Sequence, residues 1–119
     1  WSIEINGFKF WFAGDTGYND IQFKKIGNLK GPFDFAAIPI GAYEPRWFMK
    51  NFHINPYESV LIHKDVRSLL TIGIHWGTFV LTTEPINEPR QKLKDALVNL
   101  KIDKNEFLTT NIGEIILFD

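Results

Sequence analysis

The chain has 119 residues, of which 45% are hydrophobic and 15% aromatic, and this composition is sufficient for one packed domain. Its 13 basic and 14 acidic residues give a formal charge of −1 and form no long block of one sign, so we expect no nucleic-acid partner. The absence of cysteine excludes a disulfide framework and a thiol nucleophile. No apolar run approaches the roughly 20 residues of a transmembrane helix. We therefore expect a single domain over residues 1–119, cytoplasmic and without a transmembrane segment.

The first third of the chain predicts a hairpin, a helix and a buried strand. The alternating segments Ser2–Ile5 and Phe8–Phe12 flank an Asn-Gly pair, which favours a type I′ turn because both residues accept positive φ. Residues 18–29 have apolar side chains loosely at helical spacing, which predicts a helix. Residues 33–40 are almost entirely apolar and predict a strand that is covered on both faces.

The rest of the chain alternates between helices and strands. Residues 41–52 predict a loop with one short helical turn near Pro45, and a helix is predicted to begin at Asn55 and Pro56. Strands are predicted at residues 71–74, 107–109 and 114–118. The buried stripe of the helix after Asn55 is predicted from four residues, Ile62, Val66, Leu69 and Leu70. A last helix is predicted from Leu93, Ala96, Leu97 and Leu100.

This order of elements implies one mixed sheet with helices on one face. The other face would be apolar over more than the few hundred Å² that a soluble monomer usually exposes. Something must therefore cover it. A cover of about 800 Å² per partner would be a standard interface, and we expect a symmetric homodimer packed sheet to sheet through this open face.

Four motifs then carry a resemblance to a known family. In chain order they are FAGDTGY at residues 12–18, IPIGAYEPR at 38–46, HINP at 53–56 and IHWGTF at 74–79. With these motifs the chain resembles the C-terminal half of the metallo-β-lactamase fold. It is most similar to the branch that contains N-acylphosphatidylethanolamine-hydrolysing phospholipase D and its bacterial relatives. The resemblance implies an α/β (α+β) class, in which the complete fold is an αββα sandwich and this chain supplies one sheet and its helices.

The resemblance also implies that a partner is missing. The family's His-x-His-x-Asp-His cluster, which belongs to the N-terminal half of the fold, does not occur in this chain. The expected missing partner is therefore that N-terminal half. By the same resemblance the intact protein would hold two zinc ions, and the site in this chain would be empty or incomplete.

Three residues are implied as catalytic. Asp15 matches the carboxylate that bridges the two zinc ions, and His75 matches a histidine that binds one of them. His53 matches a histidine close to the metals that faces the substrate or transition state. Ionised aspartate and neutral imidazole are both suitable zinc ligands. Read without the family, Asp15 could be a turn or capping residue, His75 a core histidine and His53 a local hydrogen-bonding group.

Four residues of the long loop are predicted to line the substrate pocket: Tyr43, Glu44, Arg46 and Trp47. Packing of the loop explains them nearly as well. His63 belongs to no motif and is interpreted as structural or surface.

The implied reaction is hydrolysis of a small-molecule or lipid phosphodiester. A metal pair would polarise a phosphoryl oxygen and lower the pKa of a bound water. Since half of the implied site is absent, we expect the 119-residue chain alone to be inactive. The alternative is a non-catalytic folded module or remnant that associates with itself through its open sheet face.

Overall fold

A five-stranded sheet in the spatial order β1-β2-β3-β4-β5 forms the frame of the protein, which is described over residues 1–117 in a computed structural model. The first two strands are antiparallel and the remaining neighbours are parallel. The strands are β1 (Ser2–Ile5), β2 (Phe8–Phe12), β3 (Phe33–Pro39), β4 (Ser68–Ile74) and β5 (Phe107–Leu108). The helices are α1 (Gln22–Lys30), α2 (Arg46–Met49), α3 (Pro56–Val66) and α4 (Glu88–Leu100).

The predicted hairpin is confirmed at the start of the chain. Ile5 pairs with Phe8, which leaves the two turn residues Asn6 and Gly7 between the strands. Their φ angles are 51° and 84°. Two positive φ values are the conformation that an Asn-Gly turn of type I′ requires.

The three longer helices lie on one face of the sheet, as predicted. Helix α1 joins β2 to β3, α3 joins β3 to β4, and α4 joins β4 to β5. Each connection moves one strand further in the same direction, and parallel crossovers are almost always right-handed, so each helix arrives on the same side. Helix α3 packs between α1 and α4 and against β3 and β4. The core between helices and sheet includes Trp11, Phe33, Ile38, Val60, Ile62, Val66, Leu93 and Phe107.

Helix α3 is well defined at both ends. Asn55 and Glu58 form a reciprocal capping box, and Pro56 occupies the first turn, where its missing N–H is not needed. The helix ends at Val66, because Arg67 adopts a left-handed conformation with φ of 61° and β4 begins directly afterwards. The predicted stripe is therefore wrong at Leu69 and Leu70, which belong to β4. The apolar spacing of the helix continues by coincidence into the strand.

Other boundaries differ from the sequence-based expectation by a few residues. The first helix begins at Gln22 because the side chain of Asn19 accepts hydrogen bonds from the N–H groups of Ile21 and Gln22. The strand expected at 71–74 starts earlier, at Ser68. Residues 114–117 form no strand, and residue 118 of the predicted segment lies outside the described residues.

The sheet face opposite the helices is apolar. Trp11, Ala36 and Thr71 form a cross-strand row that is buried under the helices, so the rows on either side of it face away. Those two rows consist of Phe10, Phe35 and Leu70, and of Phe12, Ala37 and Ile72. The rings of Phe10 and Phe35 stack with their centroids 5.5 Å apart. Across residues 1–117, therefore, one face of the sheet carries the helices and the other presents a hydrophobic surface.

Because α3 ends at Val66, two similar truncations should change the free energy of unfolding by different amounts. Ile62→Ala should lower the free energy of unfolding by about 2–5 kcal/mol, because it leaves a cavity in the core. Leu69→Ala should change it by no more than about 0.5 kcal/mol, because that side chain is 60% exposed. Urea unfolding of the two variants measures the difference. Equal losses would show that Leu69 belongs to the helix stripe after all.

Candidate metal centre

The candidate site lies where the parallel strands end. Asp15 follows β2 by a few residues, and His75 is the first residue after β4. Because the carboxyl ends of parallel strands lie at the same edge of a sheet, both residues emerge there. Oδ1 of Asp15 is 3.7 Å from Nε2 of His75. The fold therefore brings together two residues that are distant in sequence.

His53 reaches the same point from the loop after β3. Its ring centroid lies 5.6 Å from that of His75, with 32° between the two planes. Asp15, His53 and His75 each offer one ligand atom, and these three atoms all lie within 4.8 Å of one another. All three residues predicted to be catalytic thus form one group.

The position of His75 depends on an unusual backbone. Its φ is 60°, in the left-handed region, which costs a non-glycine residue on the order of 1–3 kcal/mol. The loop after β3 passes directly over this residue. A Cβ at Gly41 would stand 2.2 Å from the carbonyl oxygen of His75, so only glycine allows this approach. The indole N–H of Trp76 donates to the carbonyl of Gly73 at 3.1 Å and closes the turn.

The loop that carries Asp15 is held against the segment before His53. A Cβ at Gly17 would lie 2.6 Å from the carbonyl oxygen of Asn51, so the two backbones are in close contact at that glycine. The hydroxyl of Tyr18 donates to Asp65 on α3 at 2.8 Å. Burial, together with this bond to Asp65, raises the pKa of Tyr18 to about 12, so the hydroxyl keeps its proton at neutral pH. The loop that carries Asp15 is therefore held in place by the contacts of Gly17 and Tyr18.

The donor set fits a divalent metal ion. Imidazole and carboxylate groups are common zinc ligands, and the fold brings two imidazoles and one carboxylate together here. Nδ1 of His53 is buried and has no hydrogen-bond partner within residues 1–117, although an unsatisfied buried nitrogen costs about 1–3 kcal/mol. A bound ligand or ion would remove that cost. Three donors are nevertheless too few for two ions at about three protein ligands each.

The four residues predicted to line a substrate pocket have different environments. Tyr43 is buried and its hydroxyl donates to Glu88 at 2.7 Å; burial and this bond raise its pKa. Glu44 accepts from the backbone N–H of Arg46 at 2.9 Å. Arg46 forms an ion pair with Glu58 at 2.9 Å, and Trp47 is 81% exposed. Their role towards a substrate stays a prediction.

Glu84 was not found by sequence reasoning. Its carboxylate accepts from the backbone N–H groups of Ala42, Tyr43 and Glu44 at 2.7, 3.3 and 3.0 Å, and from the Thr82 hydroxyl at 2.7 Å. Burial alone would raise the pKa of Glu84, but the bonds from Thr82 and the backbone outweigh it and lower this pKa. Glu84 thus binds the start of the loop that leads to His53. Its own loop has no period or motif, so no sequence signal marked it.

His63 has the structural role that the sequence suggested and lies in the core. It is 2% exposed, and its Nδ1 is 2.9 Å from the hydroxyl of Thr71. Burial lowers its pKa, against the opposing effect of Glu106. It is separate from the group of Asp15, His53 and His75.

Comparison with known proteins identifies the family. Residues 1–76 match the family described as "Beta-lactamase superfamily domain". The chain belongs to this superfamily. Its fold is the metallo-β-lactamase fold, because Igni18, a metallo hydrolase from the archaeon Ignicoccus hospitalis, superposes with a TM-score of 0.61 at 25% identity. That match covers 96% of this chain and 42% of the Igni18 chain.

Curated relatives place the chain near one branch of hydrolases. It is 56% identical over 119 residues to N-acyl-phosphatidylethanolamine-hydrolyzing phospholipase D 1 of Caenorhabditis elegans. This alignment covers 97% of this chain and 33% of that protein. It is 45% identical over 83 residues to the mitochondrial N-acyl-phosphatidylethanolamine-hydrolyzing phospholipase D of Saccharomyces cerevisiae. This alignment covers 69% of this chain and 18% of that protein. The chain therefore spans a third or less of the length of these relatives.

These findings confirm the predicted family, its similarity to this phospholipase branch and the fold. Two further relatives, from Listeria innocua and Listeria welshimeri, are described as metal-dependent hydrolases and are 36% and 35% identical over 78 residues, or 65% of this chain and 29% of each of those proteins. Among the described residues, no helix has both the length and the apolarity to cross a membrane. The compartment stays a prediction.

The hydrogen bonds of Glu84 predict a pH-dependent contribution to stability. Because its pKa is lowered in the folded protein, this contribution is complete above the ordinary value of about 4.3 and is lost as the pH falls through the lowered pKa. Glu84→Gln should lower the free energy of unfolding by about 1–3 kcal/mol at neutral pH and by much less in acid. Urea unfolding at both pH values tests this. Glu4→Gln, on exposed β1, is the control, and a loss independent of pH would contradict the expectation.

Proposed function

We propose that this chain supplies Asp15, His53 and His75 to the active site of a zinc-dependent phosphodiesterase. The observation that carries the proposal is the convergence of three ligand atoms within 4.8 Å at the carboxyl edge of the parallel strands. In this proposal Asp15 and His75 hold the metal, and His53 faces the substrate. The remaining ligands would come from a longer polypeptide, since the relatives extend well beyond the matched region.

Each residue has a property that suits its proposed role. The Asp15 side chain is 60% exposed and has two oxygens, so it can reach two ions. The His75 side chain is 27% exposed and is fixed in direction by the turn after β4. His53 holds a buried ring nitrogen that makes no hydrogen bond among residues 1–117, so it can still form one with a bound group. When bound, the zinc ions supply a Lewis acid that polarises a phosphoryl oxygen and lowers the pKa of a water.

The surroundings of His75 favour a substrate with an apolar part. A hollow of about 240 Å³ beside this residue is lined by Trp76, Thr78, Phe79 and Leu81. Phe79 and Leu81 are 75% and 65% exposed. We infer a lipid phosphodiester, a class to which the substrate named in the descriptions of two relatives belongs.

The apolar sheet face supports a second proposal about partners. In a longer polypeptide, this face would be covered by the sheet of the N-terminal half of the fold. For the 119-residue chain alone, we propose that a second copy covers it, which would make a homodimer without catalytic activity. This non-catalytic, self-associating module is the alternative function that the observed apolar rows favour.

Zinc content and turnover test the first proposal. The longest natural polypeptide that contains this chain should bind about two zinc ions and hydrolyse bis(4-nitrophenyl) phosphate. Asp15→Asn should remove zinc and reduce turnover by at least about 100-fold, because loss of a direct ligand should exceed the loss seen for outer partners. Asp20→Asn, the same change at an exposed residue nearby, is the matched control. Retention of both zinc and turnover by Asp15→Asn would refute the assignment.

Sedimentation of the 119-residue chain tests the second proposal. We expect a dimer at micromolar concentration and no turnover. The paired change Phe10→Ser and Leu70→Ser places hydroxyls on the apolar rows and should release monomers. A monomeric mass for the unchanged chain would contradict self-association.

A further inference from the structure

Arg46 joins three parts of the candidate site. It lies at the start of α2, in the loop that leads from β3 to His53. Its Nη1 donates to the carbonyl oxygen of His53 at 2.9 Å and to that of Tyr43 at 3.3 Å. Its Nη2 donates to both carboxylate oxygens of Glu58 at 2.9 Å. The guanidinium group therefore connects two points of the loop with the first turn of α3.

Glu58 gives this connection a rigid anchor. Its Oε2 accepts from the backbone N–H of Asn55 at 2.9 Å, and its own N–H donates to the Asn55 side chain at 2.9 Å. The carboxylate is also favourably placed at the positive end of the helix. Arg46 and Glu58 are only 25% and 23% exposed, so solvent screens their attraction less than that of a surface pair. Arg46 is thus bound to the capped first turn of α3.

His53 depends on this connection because its ring packs near that of His75 but makes no hydrogen bond through Nδ1 within residues 1–117. The backbone N–H of His53 donates to the carbonyl of Met49 at 2.8 Å, and its carbonyl accepts from Arg46. Its ring Nδ1 has no hydrogen bond within the described part of the chain. Hydrogen bonds thus hold the backbone on either side of the ring, and Arg46 donates one of them.

We propose that Arg46 is a positioning residue that fixes the ring of His53 in the active site. The inference rests on the proposed function, in which His53 faces the substrate. Arg46 acts through the His53 carbonyl and through Glu58, and it does not contact the substrate, since both of its terminal nitrogens already donate to two acceptors each.

Lysine cannot replace arginine in this arrangement. The contacts of Arg46 require donors on two separate nitrogens that face different directions in one plane. Lysine keeps the positive charge but presents all of its donors at one nitrogen. Arg46→Lys should therefore keep the attraction to Glu58 and lose the bond to the His53 carbonyl.

The first experiment observes the imidazole ring directly. Long-range ¹H–¹⁵N spectra of the longest natural polypeptide show the histidine rings, and the His53 signals are those that disappear in His53→Gln. Arg46→Lys should shift or broaden these signals and leave those of His63 unchanged, since Thr71 holds that ring at 2.9 Å. Arg67→Lys, the same substitution at the exposed C-terminal end of α3, is the matched control.

The second experiment separates positioning from substrate contact. With the zinc-loaded protein and bis(4-nitrophenyl) phosphate, Arg46→Lys should lower kcat about tenfold, because a small displacement of a catalytic group is costly. KM should stay within about twofold, since no contact with the substrate is lost. In a His53→Gln background, Arg46→Lys should have no further effect, because two residues that act through one group are not additive.

Each outcome decides the proposal. Unchanged His53 signals in Arg46→Lys would overturn it, as would a raised KM that persists in the His53→Gln background. Equal shifts of His53 and His63 would also overturn it, because they would show a general effect on the fold. If the unchanged protein hydrolyses no phosphodiester, the proposed function fails, and the spectra alone still decide whether Arg46 positions His53.

Discussion

The right-handed parallel crossover is the constraint on which the rest of this structure depends. Three successive crossovers in one direction place all the longer helices on one side of the sheet. The same crossovers make β2, β3 and β4 end at one edge, which is why Asp15 and His75 meet. The sheet face that carries no helix within residues 1–117 and the candidate site are therefore two results of one topological rule.

Charged side chains then hold the loop that completes the site. Residues 40–55 form the long connection between β3 and α3, and α2 is only one turn within it. Glu84 binds the amides at its beginning, and Arg46 with Glu58 binds its end. Both carboxylates accept hydrogen bonds from backbone N–H groups, which take the place of water molecules as partners. Polar contacts thus hold this loop near both of its ends, and Ile54, next to His53, packs in the core.

Much of the fold could be predicted from the sequence, because its local signals agree with the final structure. The Asn-Gly turn, the cap at Asn55 and the apolar spacing of α4 each determine a local conformation that the tertiary structure keeps. The predicted extension of the α3 stripe is wrong because Arg67 adopts a left-handed conformation. No residue type at this position indicates such a conformation. The residues of the candidate site were predicted from the family motifs. The support from Glu84 could not be predicted, because its contacts join residues 40 to 42 positions apart.

The shared use of Glu58 couples the start of one helix to the geometry of the candidate site. The same carboxylate caps α3 and binds Arg46. First turns of helices open more readily than whole domains unfold. Fraying at Asn55 would release Arg46, and with it the carbonyl of His53, while the sheet and the remaining turns stay folded. On warming, the candidate site would then lose its arrangement before the domain melts, with its heat lability set by a single helical turn.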